Sequence, residues 1–301
     1  MKIVYINKLS DIVNKENLCL ALGYFDGIHL GHLQLIEECN KVAKEKGLTS
    51  ALLTFDPAPN SVLRPSTYLG NINSLDDKLK IIESLGIEKV YVFKFCKELA
   101  NLSKEEFISK ILLKLKTKYI VCGFDFTFGY KGLGDSKFLQ NYFDISIIDE
   151  YKVDGEKVST SRIKNALING DIKTCNKLLG YNFMISGPVI HGLKNGRKIG
   201  YPTANIDHNG YVLPKKGVYA CYTYIDGKKY KSMVNVGNHP TISKLDKPII
   251  ESYILDFDEE IYNKNIKIEF IEYIRDEKKF ENVENLKNRL NLDTKLIAKI
   301  L

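Results

Sequence analysis

No apolar run in the 301-residue sequence approaches the ~18 to 20 residues that a membrane-spanning helix needs, so neither a helical span nor a membrane partner is expected. The six cysteines (Cys19, Cys39, Cys96, Cys122, Cys175, Cys221) form no CxxC pair and mostly sit in apolar segments. That scatter argues against a disulfide framework or a thiolate metal centre and for buried thiols in reducing surroundings. No secretory leader is legible either, because Lys2-Ile-Val-Tyr-Ile6 passes directly into polar residues, and a cytoplasmic location is expected. Charge of one sign is nowhere blocked: the net +7 comes from lysines interspersed with acids, which suits anionic small molecules and does not point to nucleic acid. Repeats and low-complexity tracts are absent. What remains, 44% hydrophobic and 27% charged, is an ordinary globular composition with room for two domains.

Strand-like runs at 2–6, 18–22, 50–55, 90–95, 119–122 and 145–148 alternate with helical patterns near 33–46, 75–85 and 103–115. Such alternation predicts a parallel α/β sheet. Two short helices are expected over Ser161–Ile168 and Ile172–Leu179, divided by Asn169-Gly170-Asp171, where Gly stops one and Asp caps the next. From Phe183 onward the texture changes. Runs at 184–191, 218–225, 230–236, 250–256 and 266–273 follow one another without helices, joined by turn signals such as Asp226-Gly227, which reads as an antiparallel barrel or sandwich. Only Val283–Leu301 returns to helical spacing, with Leu286, Leu290, Ile297 and Ile300 as its apolar positions. The boundary therefore falls near residue 182, giving domains 1–182 and 183–301.

Within the first domain the richest stretch is Gly23-Tyr-Phe-Asp-Gly-Ile-His-Leu-Gly-His32, a glycine-punctuated turn between an apolar strand and a helix. A helix N-terminus offers unpaired N–H groups and partial positive charge to an anion. His29 and His32 share one helical face there. They are either surface histidines near a helix start or donors to charge building on a phosphate oxygen; Gly23, Gly27, Gly31 and Asp26 around them favour the second reading. Gly123-Phe-Asp-Phe-Thr-Phe-Gly129 follows a strand and so lies where open α/β sheets hold ligands. Its Phe124, Phe126 and Phe128 either flank a planar ring or alternate into the core. Ser159, Thr160 and Arg162 open the next helix with hydroxyls and a guanidinium suited to an anion.

The His29–His32 pair resembles the HxGH signature of nucleotidyltransferases that attack the α-phosphate of a nucleoside triphosphate. In their order, these three segments resemble the adenylyltransferase domain of the prokaryotic bifunctional riboflavin kinase/FAD synthetase family over about residues 15–180. Thr54-Phe-Asp-Pro-Ala-Pro59 fits that family's FDPxP turn, with Ala58 where histidine or glutamine is usual, and Lys164 stands for a frequent arginine. The resemblance implies a Rossmann-like FMN adenylyltransferase domain. His29 and His32 would then be catalytic, with Gly23, Phe25, Asp26, Gly123, Asp125, Ser159, Thr160 and Arg162 binding nucleotide or flavin phosphate.

In the second domain, His191-Gly-Leu-Lys-Asn-Gly-Arg-Lys-Ile-Gly-Tyr-Pro-Thr-Ala-Asn205 reads as a glycine-rich basic loop that cradles phosphate, without the spacing of a Walker loop. It resembles the GxxxGRxxGxPTAN signature of riboflavin kinase. Gly217-Val-Tyr219, the stretch Val234 to Thr241, Glu251 and Arg275-Asp-Glu-Lys-Lys-Phe280 follow in that family's order, with Tyr253 for a common histidine and Asn263 for a glycine. The resemblance implies an antiparallel barrel with a terminal helix, Glu251 as general base, and Gly192, Gly196, Arg197, Gly200 and Arg275 as binding residues. It also implies Thr203 and Asn205 as ligands to Mg²⁺, which prefers hard oxygen donors and keeps several waters. The expected activity joins two reactions, riboflavin to FMN and FMN to FAD, with ATP as co-substrate of both. Two alternatives remain, a riboflavin kinase whose first domain is inactive and a flavin-binding regulatory protein. No oligomeric partner is legible.

Overall fold

The computed structural model describes residues 1–192, 195–208, 210–238 and 248–301, and they form two compact units. Met1–Asn71 with Leu75–Ser159 make one; Ile72–Ser74 with Thr160–Leu301 make the other.

In the first unit, strands β1 (Lys2–Ile6), β2 (Leu18–Leu22), β3 (Thr49–Asp56), β4 (Lys89–Lys94), β5 (Thr117–Gly123) and β6 (Asp144–Ile148) pair in parallel in the order β1-β4-β3-β2-β5-β6. Every neighbouring pair is parallel, as the alternating pattern predicts. Strand residues divide between two faces. Leu18, Leu20, Leu22, Leu53, Phe93 and Ile120 pack with Phe107, Ile111 and Leu115 on one side. Cys19, Ala21, Leu52, Val90 and Val121 pack on the other with helices α1 (Leu30–Lys46) and α2 (Leu75–Ser84). A sheet covered on both faces explains the near-continuous apolar runs. The helical pattern over 103–115 resolves into one α turn, capped by Ser103 and Glu106, that runs on as a π turn at Ile108–Leu112.

Strand order sets where a ligand can sit. From β2 the chain steps outward through β3 and β4, then returns to the opposite side of β2 for β5. β2 and β5 are thus the neighbours where direction reverses, and Leu22 lies opposite Cys122 at their carboxyl ends. This is the crevice at which open α/β sheets bind ligands.

The second unit begins with α3 (Thr160–Asn169) and α4 (Ile172–Leu179), near their sequence positions. Strands β7 (Met184–Ile190), β8 (Thr203–Ile206), β9 (Gly217–Ile225), β10 (Lys228–Asn238), β11 (Pro248–Ile254) and β12 (Asn265–Arg275) close an antiparallel barrel in the order β7-β8-β11-β10-β9-β12. β8 gives no strand signal, because its four residues lie inside the glycine-rich string and have no alternation to reveal them. Inside the barrel the hydroxyls of Thr223, Ser232 and Ser252 satisfy one another at 2.9 and 3.0 Å. The terminal helix α5 (Val283–Ile300) caps the wall by packing Ile297, Leu290 and Ile300 against Val218, Ala220 and Met233.

The compact units divide earlier than residue 182 because α4 packs on the barrel strand β12. Asn176 donates to the Phe270 carbonyl at 2.9 Å and accepts from the Phe183 N–H at 2.8 Å, while Ile172, Cys175, Leu178 and Leu179 are buried. A fragment beginning at Thr160 is therefore expected to melt cooperatively and several degrees above one beginning at Phe183, which loses that apolar cover. Equal melting temperatures in calorimetry would show that α3 and α4 add nothing to the barrel.

Candidate active sites

The loop after β2 is built on strain. Phe25 has φ 56°, Gly27 φ 89° and Ile28 φ 30°. Left-handed backbone at a non-glycine residue costs ~1–3 kcal/mol and persists only where surroundings over-determine it. Here Phe25 and Ile28 are driven 1% and 0% exposed into the core under α1, so apolar burial holds the turn. Asp26 is buried between them.

His29 is the N-cap of α1, and its Nδ1 accepts the N–H of His32 at 3.3 Å. That bond places the ring proton on Nε2, leaving Nε2–H as the donor. The two rings stack at 3.7 Å between centroids and 13° between planes. A Cβ at Gly31 would stand 3.4 Å from the His29 ring, in ordinary contact. Burial pushes the His29 imidazole down to about 4, and burial with the neighbouring charges of His29 and Lys78 pushes His32 well below its usual value. Two imidazoliums at this spacing would repel, so both rings are neutral at pH 7. His32 Nδ1 is buried without a hydrogen-bond partner among the described residues, a state that marks strain or a place for a ligand.

A depressed histidine is stabilising when neutral. Protonation is taken up by the unfolded chain first, so stability falls as pH drops from 6.5 toward about 4, by ~3 kcal/mol in all for His29. In a ring-proton NMR titration, His29 is expected to show its midpoint near pH 4, with no change near 6.5. A midpoint at the ordinary value would show that the ring is solvated in solution.

Opposite, after β5, Asp125 pairs with Lys157 at 2.5 Å, and the same ammonium lies 4.5 Å from the Phe124 ring centroid. Phe128 is in the core and Phe126 packs against the same cluster, so of the three aromatics only Phe124, 44% exposed, is presented outward. Lys157 and Asp125 both act electrostatically on His29, and the loops after β2 and β5 leave the ends of neighbouring paired strands. Gly23 and Gly123 are the first residues beyond the paired ends of those strands. Ser159 closes the first unit, while Thr160 and Arg162 open α3 in the second. Lys157 and the buried Lys78 of α2 carry no sequence signal that separates them from other lysines.

The kinase-like residues gather on the outer face of the barrel wall. In the register of β8, β11 and β10, Asn205, Glu251 and Asn235 stand side by side, opposite in sense to the buried Ile250 and Ser252. Thr203 lies two residues along the same face. The string before β8 contains a short helix at Asn195–Lys198, carrying Gly196 and Arg197, where an open loop was expected. A Cβ at Gly192 would collide with the Asn205 amide, and one at Gly196 with the Tyr201 carbonyl, so both glycines are demanded by close approach. Gly200 has φ 85°. Arg275 is committed within the protein: Nε and Nη2 bind Asp293 of α5 at 2.8 and 2.7 Å, and Nη1 donates to the Asp276 carbonyl at 2.9 Å. Asn235, next to Glu251, also donates to Glu277 at 3.4 Å. Glu277 also lines a cleft of about 520 Å³, together with Leu213, Pro214, Lys215, Val236 and Pro248. Lys194 and the residues His239, Pro240 and Thr241 lie outside the described residues.

A nucleotidyltransferase-type α/β unit followed by a barrel with a glycine-gated polar row defines a two-reaction phosphate-transfer enzyme. The family models agree: one described as FAD synthetase matches residues 11–162 and one described as riboflavin kinase matches residues 179–301. The chain belongs to the bifunctional riboflavin kinase/FMN adenylyltransferase family. It is 39% identical to the protein of that name from Bacillus subtilis over 97% of this chain and 96% of that one. To the Escherichia coli K12 protein it is 31% identical over 93% and 91%. A solved structure from Streptococcus pneumoniae, described as a macrolide-efflux protein, is 32% identical with a TM-score of 0.90 and covers 99% of each chain. Among the described residues no helix of this protein is long and apolar enough to cross a membrane.

Proposed function

We propose that the barrel phosphorylates riboflavin to FMN with ATP and that the α/β unit joins AMP to FMN, releasing pyrophosphate. The observation that carries the reading is the pairing, in one chain, of a neutral stacked histidine pair at a helix start with the Asn205–Glu251–Asn235 row.

In the barrel reaction the terminal ribityl hydroxyl attacks the γ-phosphorus of ATP, its proton passes to Glu251, and ADP leaves. An alcohol is a poor nucleophile until its proton has somewhere to go. The cleft has the size and apolar floor for a flavin ring. Gly192, Gly196, Arg197 and Gly200 bring backbone and charge to the nucleotide. Arg275 serves the site by tying its loop to α5.

The neutral oxygens of Thr203 and Asn205 fit a hard cation shared with phosphate, and the 7% exposed Asn205 is held in place over Gly192. Mg²⁺ bound there would neutralise charge on the transferring phosphate.

In the α/β unit the FMN phosphate is already an anionic nucleophile, so no base is required. It attacks the α-phosphorus while His29 Nε2–H and the α1 N-terminus stabilise the growing oxyanion charge. Gly23, Phe25 and Asp26 shape the loop. Gly123, Asp125 and Ser159 serve nucleotide or flavin phosphate; for Thr160 and Arg162, which open α3, the same role rests on the sequence resemblance. The six thiols, none paired in a disulfide, suit a cytoplasmic setting.

The test is direct. The protein is incubated with riboflavin, ATP and Mg²⁺, and the flavins are separated by chromatography; FMN followed by FAD is expected, and FMN alone would remove the second activity.

A further inference from the structure

Lys78 is a cation in an unusual place. It stands on α2, is only 2% exposed, and its Nζ donates to the Tyr24 carbonyl at 2.9 Å and approaches Thr54 Oγ1 at 3.3 Å. The same ammonium lies 4.0 Å from the centroid of the Tyr24 ring. Thr54, at the carboxyl end of β3, donates to that same Tyr24 carbonyl at 2.7 Å. Two donors thus converge on one carbonyl, and it belongs to the residue immediately before the left-handed Phe25. A buried ammonium is costly, and a packed apolar side chain of similar volume is often neutral or stabilising in its stead. Holding the backbone of a strained loop by a hydrogen bond is a function that an apolar side chain could not perform.

The charged and titratable groups packed around this point are His29 and His32 at the start of α1, Asp26 and Tyr24 of the loop, Asp56 after β3, Tyr68, and Asp77 beside Lys78 on α2. Lys78 acts on His32 by repulsion, since a positive neighbour disfavours imidazolium.

We propose that Lys78 is a positioning residue for adenylyl transfer: its ammonium clamps the Tyr24 carbonyl, and with it the strained loop, and sets a fixed positive charge behind the histidine pair. The inference rests on the adenylyltransferase reading of that site. Its consequence is that Lys78 sets the rate of FAD formation and, with burial and His29, helps to hold His32 neutral. Removing the charge lets His32 take a proton more easily, so the acid limb of the rate must move to higher pH. Packing alone would not move it.

The test uses the full chain with supplied FMN and ATP, with rates followed over about pH 4 to 8. Lys78→Met is expected to slow FAD formation about tenfold or more and to raise the acid limb by about one pH unit. Lys78→Arg, which keeps the charge, should return the limb to its original place. Lys78→Gln, which keeps a donor to Tyr24 without the charge, should show the raised limb even if the Met variant fails to fold. An NMR titration of His32 in Lys78→Gln reads the same effect without any activity, so it separates this inference from the reaction assigned to the site. A His32 midpoint and acid limb unmoved in Lys78→Gln would overturn the proposal, whereas a shifted midpoint in a chain that makes no FAD would overturn only the adenylyltransferase reading.

Discussion

Given riboflavin, ATP and Mg²⁺, the full chain carrying His29→Ala or His32→Ala is expected to accumulate FMN and to form FAD ~10²–10³ more slowly, the usual loss for one preorganised donor to oxyanion charge. The geometry makes the prediction specific. His29 is pinned by accepting the His32 N–H, so its Nε2–H is aimed without a reorganisation cost, and the ring stack holds both imidazoles against drift. Because His29 is also the N-cap of α1, its alanine variant loses a cap worth ~1 kcal/mol as well as a donor. His29→Asn separates the two, since asparagine caps well but presents no imidazole. If His29→Asn restores the melting temperature and leaves FAD synthesis slow, the ring itself is responsible. Wild-type FAD formation from supplied FMN in both alanine variants would remove the histidines from the chemistry. Riboflavin phosphorylation should be unchanged throughout, because the barrel's residues belong to the other compact unit.

Much of this architecture is legible in the residues alone, for identifiable reasons. Strands β1 and β2 match their expected ranges to the residue: β2, buried throughout, leaves an unbroken apolar run between polar ends, and the edge strand β1 shows a compact run of Ile3, Val4, Tyr5 and Ile6. The turn after β2 is legible because Gly23, Gly27 and Gly31 bracket two histidines three apart. The order of strands is not. Which strand lies next to which depends on long-range pairing, and the meeting of the loops after β2 and β5 emerges only when the reversal of direction is seen. Four-residue β8 is too short to show a period, and the short helix at 195–198 hides in a glycine-rich string. Lys78 is invisible for another reason: on the sequence it is one lysine among a helix's charged positions, and only folding reveals that it points inward to Tyr24. The partner of Arg275 is likewise hidden in the sequence, since no spacing announces its pairing with the 1% exposed Asp293 of α5. Phe126 and Phe128 likewise follow the ordinary packing alternative and turn into the core, leaving Phe124 outward.

Glu251→Gln is expected to abolish riboflavin phosphorylation, by ~10²–10⁴ in rate, while conversion of supplied FMN to FAD continues. In isolation this glutamate would be read as a solvated strand residue. Its register position between Asn205 and Asn235 on one face of the wall changes that reading, because it makes the glutamate part of a polar row. The carboxylate is the group of this row that can take a proton as the ribityl oxygen bonds to phosphorus. Glutamine preserves volume and a capacity to hydrogen-bond, so the barrel should melt at nearly the same temperature. Only the capacity to accept a proton is lost. The variant should still bind riboflavin, so a fall in kcat with little change in KM is the expected signature of a group that acts in the transition state. A large rise in KM with kcat intact would instead assign Glu251 to substrate binding, and near-normal FMN production would remove it from the reaction altogether.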